Sequence, residues 1–293
     1  MTNKLNSNMT NFINRSQATK VTGLSYLGQC GSSSKIIKNL KVLKIDTYVL
    51  YLAPWKLSGY QTCSMATKDC IAGCLNTSGR AGMEINSGNE SNIIKSRIAK
   101  TRMLFENRDF FMNWLIAEIT AMKAKSIREG NEFAVRLNGT SDINWNAMKL
   151  NGKTVFEIFP DIQFYDYTKV PNRFNNIPKN YHLTFSYTGY NWNDAKNVLD
   201  MGYNVAVVFD IHKTYNMRKE NIKPLPTKYK GYKVLDGDIT DYRPMDKKGY
   251  IVGLRFKLIA DKSAQKTVKE SKFVIQVTDK DCTYAKTNKK VAV

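Results

Sequence analysis

Residues 181–210 read Tyr-His-Leu-Thr-Phe-Ser-Tyr-Thr-Gly-Tyr-Asn-Trp-Asn-Asp-Ala-Lys-Asn-Val-Leu-Asp-Met-Gly-Tyr-Asn-Val-Ala-Val-Val-Phe-Asp, which predicts a strand, a helix and a second strand. The two apolar runs, Tyr181–Phe185 and Val205–Phe209, have the length of buried strands. The segment Trp192–Asp200 between them has helical spacing and ends before Gly202. Strands that alternate with helices in this way are typical of a parallel sheet.

The same alternation extends outward from this unit in both directions. Further strands are predicted at 41–53, 133–137, 162–165, 234–235 and 251–256. Helices are predicted at 92–105 and from Asn107 or Asp109 to Gly130. We therefore expect an α/β fold whose parallel sheet forms a partial or full (β/α) barrel. A basic polar N-terminal arm (1–44) and a Lys-rich C-terminal extension (261–293) would flank this α/β domain (45–260).

The net charge of +20 is concentrated in three stretches. Residues 1–44 carry +7, residues 213–233 carry +6 and residues 261–293 carry +4. Such segments attract polyanions, so nucleic acid is a plausible partner, although a solvated surface explains the charge equally well. No recognised nucleic-acid-binding motif supports the first interpretation. The sequence has no apolar run of membrane-spanning length and no secretory signal, which favours a cytoplasmic protein without a membrane partner.

Three of the five cysteines lie in one short loop after the first predicted strand, 63–74, Cys-Ser-Met-Ala-Thr-Lys-Asp-Cys-Ile-Ala-Gly-Cys. The thiolates of Cys63, Cys70 and Cys74 could hold a metal or a cluster and leave one coordination position open. Structural zinc sites usually use paired CxxC motifs, which are absent here, although His182 or His212 could complete a zinc site. A disulfide with one spare thiol is a further alternative.

Polar side chains follow the predicted strands where each strand ends. In parallel α/β folds, ligands bind at this carboxyl edge of the sheet, and the cysteine loop would share it. Asn, Asp and Ser also cap helices and form turns, so each of these residues has an ordinary structural explanation. The candidate binding residues at strand ends are Asn138, Ser141, Asp142, Asp166, Ser186 and Asp210.

Other catalytic motifs are missing from the sequence. It contains no GxxxxGK[ST] loop, no GxGxxG after a strand, no HExxH and no GxSxG. One further acidic group could bind Mg²⁺ through oxygen or form a solvated turn neutralised by Arg243 and Lys247. This group consists of Asp236, Asp238, Asp241 and Asp246.

Several of these motifs resemble a family of bacteriophage proteins known as the gene-product-88 type. The resemblance spans roughly residues 45–260 and implies a phage protein that acts in the cytoplasm of an infected host cell. It implies no particular reaction. The segments that carry it are Tyr51–Pro54, Cys74–Gly79, Ala134–Asp142, Phe159–Lys169, Tyr181–Ser186 and Asp236–Asp238.

A three-cysteine loop followed by a β/α series is in turn similar to radical S-adenosylmethionine enzymes. In that family a CxxxCxxC loop holds a [4Fe–4S] cluster whose free iron chelates the methionine part of S-adenosylmethionine. The resemblance implies that Cys63, Cys70 and Cys74 are cluster ligands. The spacing here, Cys-x6-Cys-x3-Cys, is wider at both gaps, and no GGEP-like strand end is present.

Two functional hypotheses follow from these patterns. The first is a phage-encoded iron–sulfur protein, a radical S-adenosylmethionine-like enzyme that acts on nucleic acid or a nucleotide. The second is a non-enzymatic, basic nucleic-acid-binding or host-takeover protein with a structural metal site or none. The polar residues at the strand ends favour the first hypothesis, whereas the positive charge fits both.

Overall fold

The computed structural model describes residues 15–86, 88, 90–211, 223–257, 259 and 261–284. In this part of the chain, eleven strands form one mostly parallel sheet, and β4 and β5 form a separate hairpin. The strands are β1 (Gly28–Gln29), β2 (Ile45–Leu50), β3 (Glu132–Arg136), β4 (Lys149–Leu150), β5 (Lys153–Thr154), β6 (Gln163–Thr168), β7 (Tyr181–Ser186), β8 (Asn204–Phe209), β9 (Lys228–Tyr229), β10 (Tyr232–Asp236), β11 (Ile251–Arg255), β12 (Val274–Ile275) and β13 (Cys282–Thr283).

Nine α-helices surround the sheets in the described residues. They are α1 (Arg15–Thr22), α2 (Ser34–Lys38), α3 (Lys68–Ala72), α4 (Gly79–Asn86), α5 (Asn92–Glu106), α6 (Arg108–Arg128), α7 (Val155–Ile158), α8 (Trp192–Asp200) and α9 (Lys262–Glu270). A π-helical turn, Asn39–Leu43, continues α2 toward β2. None of the helices in the described residues is both long enough and apolar enough to cross a membrane.

The main sheet has the strand order β1-β2-β3-β6-β7-β8-β11-β10-β9-β13, and β12 pairs with the end of β8. All pairs from β2 to β10 are parallel, whereas the pairs at both edges are antiparallel. No pairing joins β1 to β13 in the described residues, so the sheet does not close into a barrel. The predicted parallel α/β fold is confirmed, but the full barrel is not found.

The predicted elements agree closely with the observed ones. Helix α8 has the predicted bounds, and β7 and β8 each extend the predicted run by one residue. The strand predicted over 41–53 is shorter, because a π-helical turn precedes Ile45. Both flanking ranges, 1–44 and 261–293, contribute strands to the sheet through β1, β12 and β13.

The two faces of the sheet bury different side chains. Successive residues of a strand point to opposite faces, so neighbouring residues enter different layers. Val135 and Phe164 belong to the large apolar core, which also contains Trp114 of α6. Ala134 and Tyr165, their neighbours in sequence, belong to a small separate cluster on the other face. The first face is therefore a hydrophobic core, and the second leaves room for polar groups.

Helix α6 fixes the first edge of the sheet. Its apolar positions Phe111, Trp114, Leu115 and Ile119 are buried, as their helical spacing predicts. Glu118 on the same helix is also buried, and its carboxylate accepts hydrogen bonds from the backbone N–H groups of Leu27 and Gly28 and from the Tyr48 hydroxyl. These contacts satisfy the buried charge and hold β1 against β2.

Candidate functional site

The cysteine loop leaves the carboxyl end of β2 and doubles back on itself. Thr62 donates its hydroxyl to the carbonyl of Ala53 at 2.7 Å and its backbone N–H to the carbonyl of Trp55 at 3.1 Å. Trp55 has a φ of 54°, which allows the tight turn. The Trp55 N–H in turn donates to the Cys63 sulfur at 3.3 Å. The turn therefore fixes the first thiol at the edge of the sheet.

Helix α3 positions the second and third cysteines. Thr67 caps this short helix, and its hydroxyl accepts a hydrogen bond from the Cys70 N–H at 3.2 Å. Gly73 follows the helix and lies so close to α9 that a Cβ there would be 2.9 Å from the Val268 side chain. The contact leaves no room for a larger residue before Cys74, and it docks the loop onto α9.

Lys169, which follows β6 directly, hydrogen-bonds to Cys70, and its charge acts on Cys63 and Cys74. Burial would lower the pKa of Lys169, but Cys70, Asp142 and Cys63 outweigh it, and the pKa is raised. Burial raises the pKa of Cys74 to about 11, the other two thiols add to this rise and Lys169 opposes it. Burial also raises the pKa of Cys63, again against the effect of Lys169. The thiols therefore influence one another and share one cationic neighbour.

A second cation, Arg97 of α5, lies beside Cys74. Its guanidinium donates to the carbonyl of Asn76 at 3.1 Å and to the Asn76 side-chain oxygen at 2.7 Å, and it lies 5.1 Å from the Tyr51 ring centroid. Burial lowers the pKa of Arg97, and Tyr51 and Cys74 oppose this shift. Sequence reasoning did not single out Arg97 or Lys169 as site residues, although Lys169 ends the segment Phe159–Lys169 that carries the family resemblance.

Asn138, predicted to bind a ligand, is occupied within its own loop. Its side-chain oxygen accepts hydrogen bonds from the Ser141 hydroxyl at 2.9 Å, the Ile143 N–H at 2.9 Å and the Trp145 indole N–H at 3.2 Å. Its amide nitrogen donates to the carbonyl of Ile143 at 3.0 Å. Asn138 and Ser141 thus shape the turn after β3, which is the role that turn chemistry predicts.

Asp142 connects this turn to the cysteine loop. Its backbone N–H donates to the carbonyl of Thr62, next to Cys63. One carboxylate oxygen accepts from Arg173 at 2.6 Å, and the other accepts from the Lys169 N–H at 2.9 Å. Asp142 therefore holds Lys169 and the cysteine loop together at the edge of the sheet.

Of the remaining predicted residues, Ser186 and Asp210 lie at strand ends, whereas Asp166 lies within β6, because this strand runs on to Thr168. Asp166 is fully buried and accepts hydrogen bonds from the Asn138 N–H at 2.7 Å and the Tyr181 hydroxyl at 3.0 Å. Burial raises the pKa of Asp166 to about 7. Ser186 ends β7 and is half-buried, and Asp210 lies 3.6 Å from the Lys269 ammonium of α9. The edge thus brings together the cysteines, Lys169 and Asp142, with Ser186 and Asp210 farther along it.

The other two cysteines lie away from this group. Cys30 contacts Asp46, near the amino end of β2, which is the opposite end of the strand from the loop. Cys282 lies in β13, and its sulfur contacts the carbonyl of Gln276 at 3.9 Å. All five cysteines are free thiols. Within the described residues, no group of three or more His, Cys, Asp or Glu side chains is arranged so that it could hold a metal ion.

A separate ionic cluster lies on the polar face of the sheet. Arg136 of β3 donates to Asp241 at 2.8 Å, and Tyr165 lies 3.4 Å from the same carboxylate. Burial raises the pKa of Asp241, but Arg136, Lys35 and other nearby cations together outweigh it, and the pKa is lowered. The acidic residues near Asp241 are each ion-paired: Asp236 with Arg255, Asp238 with Lys35 and Arg255, and Asp246 with Arg243.

A cavity of about 360 Å³ borders this cluster and is lined by Arg243, Asp246 and Tyr250, among others. His182 belongs to the same region, since burial, Arg243 and Lys248 lower its pKa to about 4. His212, the other candidate zinc ligand, lies outside the described residues.

The chain matches the family described as Gene product 88 over residues 12–275. It belongs to the gene product 88 family, a phage-type family. The matched range covers the cysteine loop and every parallel strand of the sheet. No curated protein and no solved structure matches the chain. The resemblance to the gene-product-88 family is therefore confirmed, and the resemblance to radical S-adenosylmethionine enzymes is not shown.

Proposed function

We propose that this gene product 88 protein is an iron–sulfur enzyme in which Cys63, Cys70 and Cys74 hold a [4Fe–4S] cluster. The observation that carries the proposal is that Lys169, at the carboxyl edge of the parallel sheet, hydrogen-bonds to Cys70 and acts through its charge on Cys63 and Cys74. Ligands bind at this edge in parallel α/β folds. Three thiolates leave one iron of such a cluster open to another molecule.

The residues present fit such a cluster chemically. Each thiolate of a cluster binds a different iron, so the three sulfurs need not meet at one point. Lys169 and Arg97 supply positive charge that offsets the charge of the thiolates. The high pKa of Cys74, about 11, means that its thiol is protonated at neutral pH, so loading the site would release protons.

The fold also supports the proposal. Strands β2, β3, β6, β7 and β8 are neighbours in the sheet in the same order as in the chain. This order is that of a (β/α) barrel that has been opened, and we infer that the sheet is a partial barrel. The cysteine loop follows the first strand of this series, so its thiols lie where the later strand ends can contribute residues.

When bound, a cluster with an open iron would supply one electron to S-adenosylmethionine. The chain itself would hold the thiolates through the turn at Thr62 and the cap at Thr67. Asn138, Ser141 and Asp142 would keep that edge rigid, since their side-chain oxygens are already engaged. The remaining candidate cofactor contacts are Asp166 within β6, Ser186 at the end of β7 and Asp210 directly after β8.

The proposal places the protein in the cytoplasm of the infected cell, where thiols remain reduced. It is tested by loading protein under anaerobic conditions with iron and sulfide and recording electron paramagnetic resonance after reduction. We expect a cluster signal that changes when S-adenosylmethionine is added. A cluster signal that S-adenosylmethionine does not change would contradict the radical-type assignment.

Binding of one zinc per chain and no iron would favour the alternative, a nucleic-acid-binding or host-takeover protein with a structural metal site. The positive charge of the chain, +20, fits this alternative as well as it fits an enzyme that acts on nucleic acid. Failure to bind any metal would favour the same class of protein without a metal site.

A further inference from the structure

Helix α9 presents a row of lysines beside the cysteine loop. Lys262, Lys266 and Lys269 have the spacing i, i+4 and i+7, which places them on one face of the helix. They line a groove of about 590 Å³ together with Gln265, Gln276, Asp210 and Glu270. Lys262 and Lys266 are exposed, and neither forms an ion pair with another residue of the described chain.

The helix that carries the lysine row also contacts the cysteine loop. Helix α3, which carries Cys70, packs on α9 through Gly73 and the buried Val268. The lysine row is thus joined to the cysteine loop by a close helix–helix contact. Asp210 ends β8 and lies 3.6 Å from Lys269, so the groove reaches the carboxyl edge of the sheet.

An exposed aromatic ring lies at the same junction. The Tyr190 side chain is 58% exposed, and its hydroxyl donates to Asp69 of α3 at 3.0 Å. The Lys272 ammonium lies 5.5 Å from the centre of its ring. Gly189 brings the two segments together, because a Cβ at this position would lie 2.2 Å from the Lys272 carbonyl oxygen.

We propose that this surface binds single-stranded nucleic acid, with phosphates on Lys262 and Lys266 and a base stacked on Tyr190. Lysines neutralise backbone phosphates, and exposed aromatic rings stack unpaired bases regardless of sequence. The binding stands on α9 and Tyr190 alone. Only the idea that the bound nucleic acid is the substrate rests on the proposed function. This idea depends on the contact between α3, which carries Cys70, and α9.

The combination favours a single strand over a duplex. A base stacked inside a duplex cannot lie on a protein ring, whereas a single strand exposes its bases to one.

The test measures fluorescence anisotropy of a labelled single-stranded DNA of about 20 nucleotides as a function of salt concentration. For the double variant Lys262→Gln/Lys266→Gln we expect at least a tenfold loss of affinity. We also expect the slope of log affinity against log salt to fall by about 1.4, since each single-strand phosphate contact contributes about 0.7.

The matched control is Arg128→Gln/Lys179→Gln, which removes the same charge from exposed residues at the opposite, amino ends of β3 and β7. We expect this control to bind within about twofold of the wild type. Equal losses in both double variants would overturn the proposal, because the attraction would then be a property of the total charge.

Variants at Tyr190 distinguish the contribution of base stacking to affinity from the contribution of charge. Tyr190→Leu should weaken binding about tenfold, whereas Tyr190→Phe should retain it, because Phe keeps the ring and loses only the hydrogen bond to Asp69. Tighter binding of the duplex than of the single strand would overturn the choice of ligand. Cys70→Ala should bind DNA like the wild type. The DNA-binding proposal and the cluster proposal can therefore succeed or fail independently of each other.

Discussion

The ionic cluster around Arg136 and the thiol group around Cys74 lie on the same sheet but differ in how their polar groups are satisfied. Arg136 is paired with Asp241 at 2.8 Å, and Asp241 also accepts from Tyr165. Cys74 lies near Lys169, Arg97 and the other two thiols, and burial disfavours its charged form. The charges of the first region are ion-paired within the chain, whereas the thiols of the second would lose protons to a metal under the proposed function.

The comparison teaches that burial of charge alone does not identify a functional site in this fold. A buried ion pair with complete partners holds segments together. Arg136 and Asp241 are 105 residues apart in the chain, and their contact fixes the segment after β10 over the polar face. We therefore assign the ionic cluster to stability and the thiol group to function, and four measurements sharpen this division.

The largest expected effect concerns Asp241. Asp241→Ala leaves the buried Arg136 without its partner, which should lower the free energy of unfolding by about 3–5 kcal/mol. Urea denaturation followed by circular dichroism measures this loss. Lys196→Ala, in an exposed ion pair with Asp200 on α8, is the control and should not change the denaturation midpoint measurably.

If Asp241→Ala proved as stable as the wild type, the ionic cluster would not be structural. A second variant, Arg136→Met/Asp241→Leu, removes both charges and should recover most of the lost stability. Failure of this double variant to recover stability would show that the cluster contributes more than charge pairing.

Asp166 lies between the two regions, since it accepts from Asn138 at the turn after β3 and lies 4.0 Å from Arg136. Its pKa is raised from 3.8 to about 7, so the folded protein binds this proton more tightly than the unfolded chain. Its contribution to stability is thus complete below pH 4 and is lost as the pH rises toward 7. The loss is at most about 4 kcal/mol.

Asp166→Asn should flatten this part of the stability profile between pH 4 and pH 7, as measured by urea denaturation at several pH values. Asp246, whose pKa burial raises to about 6, contributes a slope of the same sign, so Asp246→Asn is the matched comparison. An unchanged profile in Asp166→Asn would show that this carboxyl is ionised in the folded protein.

A smaller effect is expected for Lys169. Lys169→Gln removes the cation that lowers the pKa of Cys63 and Cys74, so both thiols should react about three- to tenfold more slowly with iodoacetamide at pH 8. Mass spectrometry of the alkylated peptides measures these rates. Cys282 serves as the internal control and should react at the same rate in both proteins. If Cys63 and Cys74 reacted at the same rates in Lys169→Gln as in the wild type, Lys169 would have no influence on these thiols.

Much of the fold could be predicted from the sequence because its central strands are continuous apolar runs. The unit β7–α8–β8 follows directly from such runs and from helical spacing. The two-residue strands β1, β12 and β13 could not be predicted, since so short a segment has no periodicity and becomes a strand only through its partner. Strand order, and with it the open sheet, depends on long-range packing.

The candidate site could be predicted only in part. Cys63, Cys70 and Cys74 are visible as a triplet, and Asn138 and Asp142 are visible as residues at strand ends. Lys169 is not visible in this way, because it approaches the thiols only when β6 lies two strands away from β2. The internal hydrogen bonds of Asn138 are equally hidden, since they depend on the path of the turn.

The most direct test of the account determines iron and acid-labile sulfide per chain in protein purified without oxygen, for wild type, Cys70→Ala and Cys282→Ala. We predict about four iron and four sulfide in the wild type and in Cys282→Ala, and a loss of most of both in Cys70→Ala. Iron content that is equal in all three proteins, or zinc in place of iron, would contradict the assignment of the thiol group.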